Sequence, residues 1–205
     1  MYRFIESIKY HKNKFHNLSI HQERINDTFN HFFSNKPFLL NSLIKKLTIP
    51  ETEEKYKLRI VYSEEVEEIT FEKYIPRPIT HLFIKKGGNI SYPFKNQNRE
   101  KINFLCKGLT TEQDIIIVKN KLITDSSYSN LAFYSETEGW VTPENPLLKG
   151  TKRKLLLLNG EIQEKKIRIN ELENYKKVSL INSMLDLGEL VLPIDKIENQ
   201  YLPYE

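Results

Sequence analysis

Lys95 stands in the run Tyr92-Pro93-Phe94-Lys95-Asn96-Gln97-Asn98-Arg99. Further along come Ile123-Thr124-Asp125-Ser126-Ser127-Tyr128-Ser129-Asn130-Leu131 and then Leu148-Lys149-Gly150-Thr151-Lys152-Arg153. A lysine amine can form a Schiff base with an aldehyde. An acidic side chain in a Ser-rich turn can keep a pyridine nitrogen protonated, and amides behind a Gly-Thr turn can cradle a phosphate. These are three requirements of pyridoxal phosphate. Each residue also has an ordinary use: most lysines are solvated, Asp is a common turn former, and Gly often precedes a helix. The order and spacing of the three therefore carry more weight than any one of them.

The elements that must hold these residues belong to a chain of 205 residues with 31 basic and 27 acidic side chains and a net charge of +4. That length suits one large domain or two small ones with a real core. Lysines and glutamates alternate, as in Glu53-Glu54-Lys55 and Glu161–Lys166, so no concentrated basic face marks a nucleic-acid binder. Cys106 is the only cysteine, which excludes an internal disulfide and a cysteine-based zinc site. Five scattered histidines show no metal-ligand spacing. The N-terminus has no apolar signal core and no stretch has the length of a membrane span, so the chain reads as a soluble, cytoplasmic protein that does not engage membranes.

Phe4 to Tyr10 alternates as a strand does. Leu18 opens a helix with Ser19 as its cap and Gln22 completing a capping box. Ile25, Phe29, Phe32 and Phe33 form its apolar face, and Pro37 ends it. Asn41 to Leu47 reads as a second helix. Lys55–Tyr62, Val66–Tyr74 and Ile79–Ile84 read as three antiparallel strands, and Lys85-Lys86-Gly87-Gly88-Asn89 as a linker. Beyond it, Asn98–Lys107 reads as a helix and Asp114–Val118 as a buried strand. Lys119-Asn120-Lys121 reads as a tight turn into Leu122–Thr124. Strands at Leu131–Tyr134 and Trp140–Thr142, a helix at Lys152–Leu158, and strands at Ile162–Ile169, Val178–Ile181 and Glu189–Ile194 complete the pattern. Trp140, Phe104 and the Phe29/Phe32/Phe33 group read as core, and the chain is expected to fray from Asn199.

This order of motifs resembles the class IV aminotransferase family, the fold-type IV pyridoxal-phosphate enzymes. The family includes branched-chain and D-amino-acid aminotransferases and aminodeoxychorismate lyases. Phe4-Ile5-Glu6-Ser7-Ile8 is similar to F-E-T-I, and Leu18-Ser19-Ile20-His21-Gln22-Glu23-Arg24-Ile25 to L-x-x-H-x-x-R-L. Lys95-Asn96-Gln97-Asn98-Arg99 is similar to K-x-x-N-R, Asp125 to Leu131 to E-x-x-x-S-N-[LI], and Gly150-Thr151-Lys152-Arg153 to G-[IV]-T-R. Each motif alone is weak, whereas five in the right order are strong.

The resemblance implies a role for each matched residue. Lys95 would hold the cofactor and act as base and acid at the substrate α-carbon. Arg24 would bind the cofactor phosphate, its alternative being a solvated residue paired with Glu23 or Asp27. Asp125 stands where the family has Glu and would serve the ring nitrogen on a shorter arm. Asn130 and Ser129 would hold that loop. Gly150, Thr151 and Lys152 would offer backbone amides to the phosphate, Lys152 with an added charge. Ser183 would touch the phosphate through its hydroxyl. Asn182-Ser183-Met184 looks closer to the N-A-[LM] of the lyases than to the G-T-A of other members. His21 would fix a helix end, and Arg59 and Arg99 are structural or bind a substrate carboxylate.

The implied fold is α+β and D-amino-acid aminotransferase-like. A small N-terminal α/β subdomain (1–86) would precede a larger, barrel-like cofactor-binding subdomain (87–205) carrying Lys95, Asp125, Gly150 and Ser183, in a homodimer. The implied activity on a small amino substrate is that of a 4-amino-4-deoxychorismate lyase supplying 4-aminobenzoate for folate synthesis. An amino-acid aminotransferase, or a non-catalytic relic acting as a binding module, are the alternatives. The chain starts at Phe4-Ile5-Glu6 without the N-terminal strands of longer members, so some of their substrate contacts are expected to be absent or supplied elsewhere.

Overall fold

This computed structural model describes residues 2–199. They form two compact units: one runs up to Ile75 and includes Phe94–Asn98, and the other comprises Pro76–Pro93 and the chain from Arg99 onward. The fraying expected from Asn199 concerns residues 200–205, which lie outside those described.

The first unit is a four-stranded antiparallel sheet in the order β2-β1-β3-β4, from β1 (Phe4–His11), β2 (Lys14–Phe15), β3 (Tyr56–Tyr62) and β4 (Val66–Lys73). Alternation puts Phe4, Ile8, Leu58, Ile60 and Tyr62 into one core with Ile25 and Phe29 of helix α1 (Leu18–Phe32) and Leu40 of α2 (Leu40–Ile44). The expected capping box is not formed. Asn17, in the left-handed conformation at φ 59°, is the N-cap and gives no side-chain hydrogen bond. Gln22 instead ties α1 to the next segment, donating to Phe38 O (3.0 Å) and accepting from Leu40 N (2.8 Å).

Phe94–Asn98 belongs to this unit because its backbone pairs with the start of β1. Ile5 N donates to Lys95 O (2.9 Å), Gln97 N donates to Arg3 O (2.8 Å), and Asn96 bridges Phe4. Phe94 packs its ring against Phe4, Phe32 and His31. The expectation that Lys95 rides on the second subdomain is thereby corrected.

The second unit carries nine strands among the described residues, in the path β10-β9-β8-β7-β6-β5-β13 with β11 and β12 branching from β8. They are β5 (His81–Lys86), β6 (Gln113–Lys119), β7 (Leu122–Ser126), β8 (Asn130–Ser135), β9 (Gly139–Pro143), β10 (Gln163–Lys165), β11 (Lys177–Ile181), β12 (Val191–Pro193) and β13 (Ile197–Glu198). The path ends at β10 and β13 without closing, so the barrel-like expectation gives way to an open sheet. Helices α3 (Glu100–Leu105) and α4 (Thr151–Leu158) complete the unit. No helix among the described residues is long and apolar enough to cross a membrane.

Three further expectations change here. The strand expected to follow β4 in an antiparallel meander is β5, which instead runs parallel to β6 in the second unit. A parallel pair needs a crossover, and the stretch containing α3 provides it. The units part at Ile75, next to Pro76 and Pro78, rather than at Gly87-Gly88. Gly87 is not linker: its amide donates to Val118 O (2.8 Å), and a Cβ there would lie 2.7 Å from the Ile117 side chain. Phe104, expected in the core, is 66% exposed and lies against the Lys107 ammonium. The turn at Asn120-Lys121 forms as expected, with positive φ at both residues (51° and 64°), which matches the twist of a tight hairpin.

Candidate active site

In the first unit, β1 turns Glu6 onto the same face as Phe4 and Ile8, toward α1. The carboxylate is fully buried, and α1 delivers two partners three residues apart. Arg24 Nε donates to Glu6 Oε1 (2.8 Å) and its Nη2 to Oε2 (2.6 Å), while His21 Nδ1 lies 2.5 Å from Oε2. Burial alone would raise the Glu6 pKa, but the Arg24 charge and the His21 hydrogen bond outweigh it and hold the carboxyl at about 2. His21 is also fully buried. Burial, with the Arg24 and Lys95 charges, pulls its pKa below the ordinary imidazole value against the pull of Glu6. The helix-end role expected of His21 is therefore replaced by a place in a buried triad.

Arg24 is paired with Glu6. Glu6 takes two of its five donors and fixes the plane of the guanidinium. Lys95, half-buried on the segment bonded to β1, belongs to this group, since its charge reaches His21. Sequence reasoning passed over Glu6. The signal was a carboxylate at an inward position of an otherwise apolar alternation.

In the second unit, three segments are tethered to one another. Asp125 on β7 and Asn130 on β8 form the only residue pair joining those strands in the described structure. Asn130 Nδ2 donates to Asp125 Oδ1 (2.7 Å) and Leu148 O (2.8 Å), and Leu148 N donates to Asp125 Oδ2 (3.0 Å). Burial pushes the Asp125 carboxyl up to about 6, against these bonds and the more distant Arg153 charge. Gly150 follows, its Cα so close to Asn130 that a Cβ would stand 2.1 Å from Oδ1. It is the N-cap of α4, where Thr151 and Lys152 begin the first turn, with no acidic residue in that turn. Arg153, buried, anchors the helix to Pro143 O (2.8 Å) and Glu164 Oε1 (2.6 Å).

The third segment is the turn after β11. Asn182 accepts at Oδ1 from Met184 N (2.8 Å) and Leu185 N (3.1 Å), and donates through Nδ2 to Ser129 Oγ (2.8 Å). Ser183 is half-buried at the second position of this turn. The buried Lys152 ammonium is paired with Asp186, which joins the turn to α4. Arg24 and Lys95 thus lie together in one unit, and Asp125, Asn130, Gly150, Thr151, Lys152 and Ser183 in the other.

This second set suits a phosphorylated pyridine on physical grounds. The first turn of a helix offers amides that its own carbonyls do not take up, the helix dipole favours an anion there, and Gly150 leaves the approach without a side chain. Asp125 accepts from Asn130 and Leu148, with the Leu147 amide also acting on it, which leaves part of a carboxylate's acceptor capacity for a ring N–H.

The family model for amino-transferase class IV matches residues 3–197. An uncharacterized protein of Haemophilus influenzae is 33% identical over 188 residues, covering 90% of this chain and 98% of that one. The crystal structure of a proposed 4-amino-4-deoxychorismate lyase from Haemophilus somnus is 28% identical with a TM-score of 0.84, covering 91% of this chain and 98% of that one. A hypothetical aminotransferase from Mycobacterium tuberculosis in its pyridoxal-phosphate-bound form shares the fold, at 13% identity and a TM-score of 0.69, covering 99% of this chain and 84% of that one. The chain belongs to the class IV amino-transferase family, whose enzymes work with pyridoxal phosphate on small-molecule substrates.

Proposed function

We propose that this enzyme is a lyase that converts 4-amino-4-deoxychorismate to 4-aminobenzoate and pyruvate. The observation that favours the lyase over amino transfer is the turn after β11. Asn182 uses both ends of its side-chain amide, two bonds inward to the turn and one to Ser129. The glycine of the G-T-A form has no side chain to do this, so these bonds support the Asn-Ser-Met reading of the turn. The likeness to the Haemophilus somnus protein over 98% of that chain supports the same reading.

When bound, pyridoxal phosphate supplies an electron sink for charge at the substrate carbon that bears the amine. Lys95 would hold the cofactor and, once displaced by the substrate amine, take the proton from that carbon through Nζ. Loss of the enolpyruvyl group leaves an aromatic ring, and the departing enol gains a proton at its methylene carbon. The two products account for every atom of the substrate. Arg24, oriented by Glu6, and the amides of Thr151 and Lys152 would bind the phosphate with the Ser183 hydroxyl. Asp125, kept in place by Asn130 and Leu148, would face the ring nitrogen. The reading carries with it a place in folate synthesis, a cytoplasmic location and a homodimer.

The test is an absorbance spectrum of the purified protein with added pyridoxal phosphate. A visible band is expected that borohydride removes and that Lys95→Ala lacks. Failure to take up the cofactor would sink the proposal. Product analysis then decides the branch: 4-aminobenzoate from aminodeoxychorismate supports the lyase, and amino transfer dependent on a keto acid overturns it in favour of an aminotransferase.

A further inference from the structure

Beneath the turn Ser126–Ser129, which separates Asp125 from Asn130, three charged side chains from three different segments converge. Arg99, just before α3, donates from Nη2 to Ser127 O. Arg77, just before β5, lies with its guanidinium 5.2 Å from the centre of the Tyr128 ring and is itself fixed by bonds to Gln113 O (2.8 Å) and Thr111 O (3.3 Å). Asp114, on β6, is 1% exposed, and neither of its carboxylate oxygens has a well-aligned hydrogen bond. The hydroxyls of Ser127 and Ser126 and the Arg77 charge are nonetheless close enough to act on it. Burial raises the pKa of the nearby Cys106 thiol, and the charges of Asp114, Arg99 and Arg77 all act on it.

A carboxylate this deeply buried and poorly bonded is costly unless positive charge offsets it. Within the turn Ser126 Oγ accepts from Ser129 N (3.0 Å) and Ser126 N donates to Ser129 O (2.9 Å), and from the turn after β11 Asn182 Nδ2 donates to Ser129 Oγ (2.8 Å). Among the described residues Asp125 and Asn130 are the one ladder pair between β7 and β8, and this turn is the chain that connects them.

We propose that the half-buried Arg77 and Arg99 and the buried Asp114 form a charge clamp on the Ser126–Ser129 turn and are positioning residues for Asp125 and Asn130 in the cofactor site. The clamp rests on the reading of that site given above, and its test separates the two. Amide hydrogen exchange is measured in the cofactor-free protein for wild type, Arg99→Gln, Arg99→Lys and Asp114→Asn. Loss of a charged hydrogen bond corresponds to about tenfold faster exchange at the Ser126 and Ser129 amides. That acceleration is expected in Arg99→Gln and Asp114→Asn, confined to the turn and partly restored in Arg99→Lys. The dissociation constant for pyridoxal phosphate is expected to rise by a similar factor in the same variants. Exchange that rises evenly through the second unit, or that does not change at the turn, overturns the clamp. Faster exchange at the turn with an unchanged dissociation constant overturns its positioning role. If wild type takes up no cofactor, the functional reading fails, while the exchange measurement still decides whether the clamp exists.

Discussion

Glu6 and Asp125 are both carboxylates removed from water, one in each unit, yet burial leads to opposite outcomes. Glu6 meets a guanidinium and an imidazole, and its carboxyl is held at about 2. Asp125 meets a side-chain amide and a backbone N–H, and its carboxyl rises to about 6. The comparison teaches that burial sets how much a partner matters, and the partner's charge sets the sign. It also separates two uses of a carboxylate. Glu6 is charged at neutral pH and fixes the plane of Arg24. Asp125 holds its proton loosely, so a protonated ring nitrogen would draw it fully into the charged form.

The strongest way to break this contrast is Glu6→Gln, which leaves Arg24 and His21 without their anion. Removing one partner of a buried pair costs about 3–5 kcal/mol, so chemical denaturation at neutral pH is expected to show a loss of that order. A loss under about 1 kcal/mol, the range of an exposed pair, would mean that solvent already screens the triad.

The pH dependence sharpens the contrast. The Glu6 pKa is depressed on folding, so its contribution is full above about 4.5 and is lost as pH falls toward 2. The Asp125 pKa is raised, so its contribution is full below about 3.8 and is lost as pH rises through about 6. Between those last two values the stability of cofactor-free wild type should fall relative to Asp125→Asn, by the order of 3 kcal/mol in total. Denaturation midpoints across that range check it, and parallel profiles would refute it.

Gly150→Ala tests the second site by shape instead of charge. The added Cβ would stand 2.1 Å from Asn130 Oδ1 and push that side chain off Asp125. Overpacking of this kind costs about 1–3 kcal/mol, and cofactor affinity measured by absorbance titration should fall with it. Asp186→Asn has the smallest expected effect. It releases the Lys152 ammonium from a half-exposed partner, so stability should drop by less than about 1 kcal/mol. A larger loss would show that this pair anchors the turn after β11.

Much of this was legible from the chain because local rules and tertiary structure agree. Alternation located β1 and β3, a continuous apolar run located β6, and the Asn120-Lys121 turn followed from its neighbours. Other features were hidden because they depend on distant partners. Gly87-Gly88 reads as linker until Ile117 presses on it. Nothing local tells an antiparallel β5 from one parallel to a strand that comes about thirty residues later. Lys95 was found by its motif, but its attachment to β1 comes from backbone bonds that any sequence could make. Among the site residues, Asp125, Asn130 and Gly150 come together as their motifs suggest. Glu6 and Asp114 stayed out of sight because a buried acid shows itself only through what surrounds it.

The single pairing between β7 and β8 has a consequence for the life of the protein in a cell. A seam with one ladder pair and its turn bonds is expected to open more readily than the longer ladders, and an opened seam is where proteases begin. A ligand that binds only the closed form shifts that balance in proportion to its concentration. The supply of vitamin B6 would then set how long each copy of the enzyme lasts as well as how many copies are active.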